Sequence, residues 1–462
     1  MGFFRKNPLK RDLQKILGPS GLLTEKADVI CYGFDSSGYE RFPSFVVLPE
    51  TIEQVSKVVA LCNDLGVPVT PRGAGSATTG ATVPEEGGVV ICFSRMNRII
   101  KIDPVELTAT VQPGVVTGYL QKEVEKQGLF YPPDPASLAF CTIGGNVATG
   151  AGGPRAVKYG VTRDYVRSLK VVLADGSVIE TGAGTAKGVV GYDITRLFVG
   201  SEGTLGVVVE VVLRLVPRPQ AVGTLAGLFP SVESCVESVS LLFSSGYLPR
   251  CAEFLDEKCL GAVSASMPMK IDAESKAFLL VEMDGDELSV RQQLQMAKRC
   301  LQDAGALSIF EPKSQEQRQE IWKVRRGLSP ALKGLGFDSK VSEDVCVPRR
   351  AIKEMLEYLY SLEMGRPVRI FCFGHIGDGN LHVNLLFNRM ELEKDELASL
   401  VGNIMKKAVE LGGTISGEHG IGLAKKDYID IELTDRLLAL EQALKKVFDP
   451  KGIFNPGKIF KG

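Results

Sequence analysis

The stretch spanning residues 368–387 constrains this chain more than any other. "VRIFCF" (368–373) and "LHVNLLF" (381–387) are apolar runs rich in β-branched and aromatic residues, with Asp378-Gly379 between them. Such runs around a turn dipeptide predict an antiparallel hairpin, and the extra flanking residues predict a longer, bulged turn. Alternation along the second strand puts His382 and Asn384 on one face. His375 ends the first strand beside the turn, so both imidazoles can converge above one sheet.

These are two of only three histidines in 462 residues; the third, His419, directly follows Glu418 in "SGEHGIG". Imidazoles confined to two glycine-rich motifs, with a carboxylate beside the third, are the donor set of a divalent-metal site or an acid/base site. Sequence neighbours diverge in regular structure. One of Glu418 and His419 can then ligate a metal while the other faces a substrate.

The length predicts about three domain-sized units or two large ones. The net charge is −1, which argues against a nucleic-acid partner, since no basic excess exists to neutralise phosphates. No apolar run approaches the roughly 20 residues of a membrane span. The N-terminal "MGFFRKNPLKRDLQKIL" is basic and amphipathic without an apolar signal core, and predicts a surface helix, with membrane contact a minor alternative. Ten cysteines contain no C-x-x-C pair, which excludes an ordinary iron–sulfur or zinc-finger cassette and fits scattered thiols in a reducing cytoplasm.

Residues 1–40 read as a lead-in. Thr51 and Gln54 then form a capping-box pattern, Ile52, Val55, Val58, Val59 and Cys62 make an apolar stripe, and Gly66 ends the helix. The short strand "VPVT" leads into a glycine loop from Arg72 to Gly80. That loop lacks the lysine of a Walker A motif and the spacing of a Rossmann fingerprint, yet successive amides in such a loop form an anion-binding concavity. A second concentration runs from Cys141 to Val166. There Gly144, Gly145, Gly150, Gly152 and Gly153 remove side chains that would obstruct backbone lying against a flat aromatic ligand. "LKVVLADGSVIETG" predicts a hairpin turning at Asp175-Gly176, and "LFVGSEGTLGVVVEVVLRLVPRP" a glycine turn feeding a long strand that stops at Pro217. Glycine loops that all end strands predict an extended dinucleotide across an α+β domain.

"PRGAGSATTG", "GGNVATGAGG", "GVTRDYV" and "GSEGTLGVV" closely resemble the flavin-binding half of the vanillyl-alcohol-oxidase (PCMH-type) superfamily. With "GHIGDGNLH" and "SGEHGIG" the resemblance narrows to the D-2-hydroxyacid dehydrogenase branch, and it covers about residues 41–458. It implies an α+β fold: a two-subdomain FAD-binding domain over residues 41–221, a cap with an antiparallel sheet over 222–411, and a C-terminal segment, 412–462, returning to the FAD domain.

The resemblance implies that FAD is held by Pro71, Arg72, Gly73, Ala74, Gly75, Ser76, Thr79 and Gly80 of the first loop. From the second region it takes Pro133, Asp134, Thr142, Gly144, Gly145, Asn146, Thr149, Gly150, Gly152, Gly153 and Val161, and further on Glu202, Gly206, Val207 and Asn455. Ser76 stands where some superfamily members attach FAD through a histidine, so a non-covalent flavin is implied. His375, His382 and Glu418 match ligands of a divalent metal (zinc, iron or manganese), His419 the catalytic base, Asn384 a substrate contact and Arg325 the arginine that binds the substrate carboxylate. Lys425 is a further candidate for that anionic pocket.

The implied reaction is oxidation of a D-2-hydroxy acid. Where enzymes for D-2-hydroxyglutarate carry a basic residue this chain has Ser342, followed by Glu343-Asp344, which favours D-lactate or glycolate over diacids. With no cysteine cluster of its own, the chain is expected to pass electrons to an electron-transferring flavoprotein, an iron–sulfur subunit, a quinone or a soluble acceptor. The expected location is cytoplasmic, or peripheral to a membrane through a partner, with a homodimer as one assembly. Two rivals are a flavin-free non-haem iron oxygenase or metal hydrolase built on the same two histidines and glutamate, and a non-catalytic electron-transfer subunit.

Overall fold

The structure is a computed structural model that describes residues 8–461. Of the predicted N-terminal helix, Pro8–Leu17 is helical with Leu9, Leu13 and Leu17 buried; residues 1–7 lie outside the described ones. The chain divides into two compact units: one holds the stretch through Gly152, Val161–Arg218 and the stretch from Glu418, the other Gly153–Gly160 and Pro219–Gly417. No helix of the described residues is long and apolar enough to cross a membrane.

In the first unit, Thr51 caps the helix Ile52–Leu65 by accepting the Gln54 amide, and Gln54 returns its side chain to the Glu50 amide at 2.7 Å. The helix ends at Gly66 in the left-handed region (φ 64), a conformation glycine adopts without steric cost. Its stripe of Val55, Val58, Val59 and Cys62 is buried against a four-stranded sheet in which Phe45–Val47, Val89–Cys92 and Val69–Arg72 run parallel. A second, antiparallel sheet orders Ile99–Asp103, Thr108–Val111, Val207–Arg214, Val166–Val172 and Val178–Gly182. Its last two strands are the predicted hairpin, where the Ser177 amide donates to Asp175 Oδ1 at 2.9 Å. The chain's tail returns to the first sheet, where Phe454 bridges Val69.

The second unit is built on seven strands, in the spatial order Ser308–Phe310, Ala221–Phe229, Ala277–Gly285, Cys251–Asp256, Val368–His375, Asn380–Phe387 and Ser339–Cys346, every adjacent pair antiparallel. Both faces are covered, which is why these strands read as near-continuous apolar runs. Val368, Ile370, Cys372, Val383 and Leu385 face the helices Val232–Ser244, Glu287–Asp303, Ile352–Ser361 and Lys394–Glu410. Leu255, Phe278, Phe371, Phe373 and Leu386 face Glu257–Val263 and Gln315–Lys333.

Candidate active site

A cavity of about 220 Å³ opens within the first unit. Both predicted glycine motifs line it, with Pro71–Ser76 on one side and Thr142, Gly144, Gly145, Asn146, Thr149 and Gly152 on another, and Glu202, Gly206, Glu418 and His419 complete the wall. Thr142 caps the helix Ile143–Thr149, and a Cβ on Gly73 would fall 2.2 Å from its hydroxyl, so only a glycine lets the two motifs pack together. Gly75 has φ 70, and a Cβ there would meet the folded-back Arg72 guanidinium at 2.0 Å. The wall is therefore mostly backbone and small side chains, which suits an extended dinucleotide.

Several of these glycines also pack against protein. A Cβ on Gly144 would strike Pro113 at 2.5 Å, one on Gly152 would strike Glu418 Oε2 at 2.9 Å, and Gly150 is the left-handed cap of the Ile143–Thr149 helix. Thr79, Gly80, Pro133, Asp134, Gly150, Val161, Val207 and Asn455 belong to the same unit without lining the cavity, and Gly153 belongs to the second unit. The sequence reading missed Ala136, Ser137, Ala148, Phe198 and Ser201 as lining residues; such small or apolar side chains carry no chemical signature.

Glu202 is committed to the loop after His419. Its two carboxylate oxygens accept the amides of Ile421 (2.6 Å) and Gly422 (2.8 Å). The loop is also held by Thr79, whose hydroxyl donates to the His419 carbonyl and whose own carbonyl accepts the Leu423 and Ala424 amides. Asn455, with φ 41, donates to the carbonyls of Ala81 and Glu202 at 2.8 and 2.7 Å. Glu418 and His419, expected to diverge, both line the cavity, with His419 Nε2 at 3.6 Å from Glu418 Oε1. Lys425 is fully buried and, with Lys458, is a cationic neighbour of Glu202.

Burial pushes the Glu202 carboxyl up to about 7, against the opposing pull of the two amides and the lysines. The folded chain therefore holds a proton that the unfolded chain releases, so this contribution to stability is full below about pH 4.5 and is lost as pH rises through about 7. Thermal unfolding across that window is expected to show a melting temperature that falls with pH relative to a Glu202→Gln variant. Parallel curves for the two proteins would contradict it.

In the second unit, strand register assembles the remaining candidates on one face. His375 lies opposite both Glu253 and Asn380, His382 opposite Phe373 and Asp344, and Asn384 opposite Phe371 and Ser342. The hairpin turn is the predicted longer one, with Gly379 at φ 88. The Nε2 atoms of His375 and His382 face each other at 3.3 Å, and His375 Nδ1 meets Glu253 Oε1 at 2.6 Å. An ionised carboxylate only accepts, so Nδ1 carries the ring proton and His375 Nε2 keeps its lone pair for a metal. Two imidazole nitrogens converging in this way fit a divalent cation. Gly417, the residue before Glu418, packs against Asn380, where a Cβ would fall 2.6 Å from Oδ1.

Arg325 is set by its helix. Arg318 grips Glu282 through both oxygens (2.5 and 2.8 Å), Trp322 Nε1 donates to the same carboxylate at 2.7 Å, and Arg325 lies on the next turn. Its guanidinium sits 4.7 Å over the Phe373 ring and pairs with Glu253 Oε2 at 2.6 Å, while its Nε is buried without a hydrogen-bond partner. A buried unsatisfied donor is costly, and an anion fits it. Asn384 is engaged within the sheet: Nδ2 donates to the His382 carbonyl at 3.2 Å, and Oδ1 accepts the Ser342 hydroxyl at 2.8 Å.

Two residues of this face escaped the sequence reading. Glu253 is one; its signal was a lone carboxylate inside the apolar run "CAEFL". Lys340 is the other, two residues before Ser342 on the same strand face. It is half-buried, donates to Ser329 Oγ at 2.9 Å, and is pushed down to about 8 by burial and by Lys333.

Residues 43–182 match the FAD binding domain model, and residues 218–459 match the model of the C-terminal domain of FAD linked oxidases. The chain is 40% identical over 456 residues to a Bacillus subtilis protein named glycolate oxidase subunit GlcD, covering 98% of this chain and 96% of that one. It is 39% identical over 430 residues to a D-lactate dehydrogenase of Anaerostipes hadrus, covering 90% and 89%. A p-cresol methylhydroxylase crystallised with substrate superposes with a TM-score of 0.78 at 17% identity, over 98% of this chain and 96% of that one, which speaks for the fold alone. The FAD match removes the flavin-free alternative. The α+β fold with its glycine-walled cavity, the two domain matches and these relatives together place the chain in the FAD-linked oxidase family, in the branch that holds glycolate oxidase subunits named GlcD and D-lactate dehydrogenases.

Proposed function

We propose that this chain oxidises a small D-2-hydroxy acid, D-lactate or glycolate, to the 2-oxo acid. The observation that carries the reading is the pair of His375 and His382 nitrogens facing at 3.3 Å, with the His375 proton fixed on the far side by Glu253. When bound, FAD would supply the hydride acceptor for the α-carbon, and a divalent metal (zinc, iron or manganese) would make the substrate hydroxyl more acidic. His375 and His382 would hold that metal, and Glu418 is proposed as third ligand on the resemblance of its motif.

The other steps fall to the chain's own side chains. Arg325 receives the substrate carboxylate, a task for which its partnerless Nε is available. His419, on a loop pinned by Glu202 and Thr79, removes the hydroxyl proton. Asn384 keeps His382 in place by holding its carbonyl, beside the substrate. The flavin is non-covalent: Ser76 replaces a histidine in the first loop, and Cys141, a thiol on the cavity wall, is turned to the Thr117 hydroxyl at 3.4 Å. The electrons leave to an electron-transferring flavoprotein or an iron–sulfur subunit, a reading supported by the relative that is itself named a subunit.

One observation favours a second reading, D-2-hydroxyglutarate as substrate. Glu343 pairs with Val383 and so faces away from Ser342 and Asn384, while Lys340 shares their face and has a hydroxyl, Ser329, as its hydrogen-bond partner. Steady-state turnover with a dye acceptor separates the two. The primary reading predicts kcat/KM for D-lactate or glycolate above that for D-2-hydroxyglutarate, and a Lys340→Met variant that changes neither ranking nor rate beyond about twofold. A diacid preference that falls about tenfold or more in Lys340→Met, the worth of one charge-assisted contact, would establish the second reading in its place.

A further inference from the structure

We infer that Glu253 is a shared positioning residue, a single carboxylate that sets both the ligating nitrogen of His375 and the anion-binding guanidinium of Arg325. The inference deepens the proposed function and rests on it for the identity of the two ligands. Glu253 is fully buried, with Ala252, Phe254 and Leu255 buried around it. An ionised side chain is tolerated there only with a counter-charge beside it. Its two oxygens face different partners: Oε1 meets His375 Nδ1 at 2.6 Å, and Oε2 lies 2.6 Å from Arg325 Nη2 as an ion pair without hydrogen-bond alignment.

The arrangement does two jobs at once. Toward His375, the carboxylate holds the ring proton on Nδ1, which leaves Nε2 bare and turned to His382 Nε2. Toward Arg325, it takes one end of a guanidinium already stacked on Phe373 and so fixes where the remaining donors point. It also supplies the negative charge that lets a cationic arginine lie beside a metal site. The helix that carries Arg325 is anchored separately, through Arg318 and Trp322 on Glu282, so Glu253 is not needed to dock that helix.

Glutamine at position 253 keeps the shape but can accept from only one of the two donors, presents an N–H to the other, and leaves Arg325 without its counter-charge. The test uses the full-length flavoprotein, stripped of metal by a chelator and titrated with Co²⁺ against a chromogenic competitor. Glu253→Gln is expected to bind Co²⁺ about 10–100-fold more weakly than the parent, with an altered visible Co²⁺ spectrum, unchanged flavin content and a melting temperature lowered by the unpaired Arg325 charge. Parental Co²⁺ affinity and spectrum in Glu253→Gln overturn the inference while leaving the proposed function standing. A parent protein that carries flavin but binds no divalent metal sinks the proposed function instead. If the variant does not fold, ¹⁵N-histidine NMR of the metal-free parent decides, because only three imidazoles contribute. A His375 signal with Nδ1 protonated and Nε2 bare supports the inference, and the opposite tautomer overturns it.

Discussion

His382→Ala is expected to lose tight metal binding and to lower kcat/KM for the hydroxy acid by about a thousandfold, with FAD content unchanged. The size follows from the role. A metal that stabilises a developing alkoxide is worth several kcal/mol, and each ~1.4 kcal/mol is a factor of ten in rate. The selectivity follows from placement: His382 lies on the sheet of the second unit, whereas the glycine-lined cavity belongs wholly to the first. Elemental analysis of the purified variant beside steady-state kinetics checks both halves. A variant that keeps its metal, or turns over within tenfold of the parent, contradicts the ligand assignment.

The second large effect is at His419. His419→Gln is expected to slow flavin reduction about 10²–10⁴-fold, the usual worth of a positioned general base, while leaving bound metal, bound flavin and substrate affinity close to the parent. The distinction from His382→Ala is what makes the pair informative, because one variant loses the ion and the other only a proton acceptor. Anaerobic stopped-flow mixing with substrate reads the reduction rate directly, and metal content measured on the same sample shows which part was lost. A slow rate accompanied by missing metal would move His419 from base to ligand.

Much of this site was legible because its signals are local. The helix Ile52–Leu65, with Thr51 at one end and Gly66 at the other, is fixed by spacing within fifteen residues, and all but Ile52 of its predicted stripe is buried. The hairpin bearing His375 and His382 is written in two apolar runs and a turn dipeptide, so the convergence of the rings followed from strand alternation alone. What was not legible depends on partners far away in sequence. Glu253 is defined by His375, 122 residues later, and nothing near it in the chain shows that its second oxygen belongs to Arg325. Gly144 lines the cavity as read, but that a Cβ there would also strike Pro113 has no local signal in the sequence. Ser342, Glu343 and Asp344 read as one acidic neighbourhood, yet alternation along their strand turns Glu343 to the opposite face and brings Lys340 to theirs.

Stereospecific, metal-dependent reduction of the flavin by a 2-hydroxy acid can be read from the visible flavin absorbance of the anaerobic protein. D-lactate is predicted to bleach it and L-lactate to leave it oxidised, with bleaching abolished by a chelator and restored by added divalent metal. Flavin that stays oxidised with D-lactate, glycolate and D-2-hydroxyglutarate alike, metal supplied, would contradict the account.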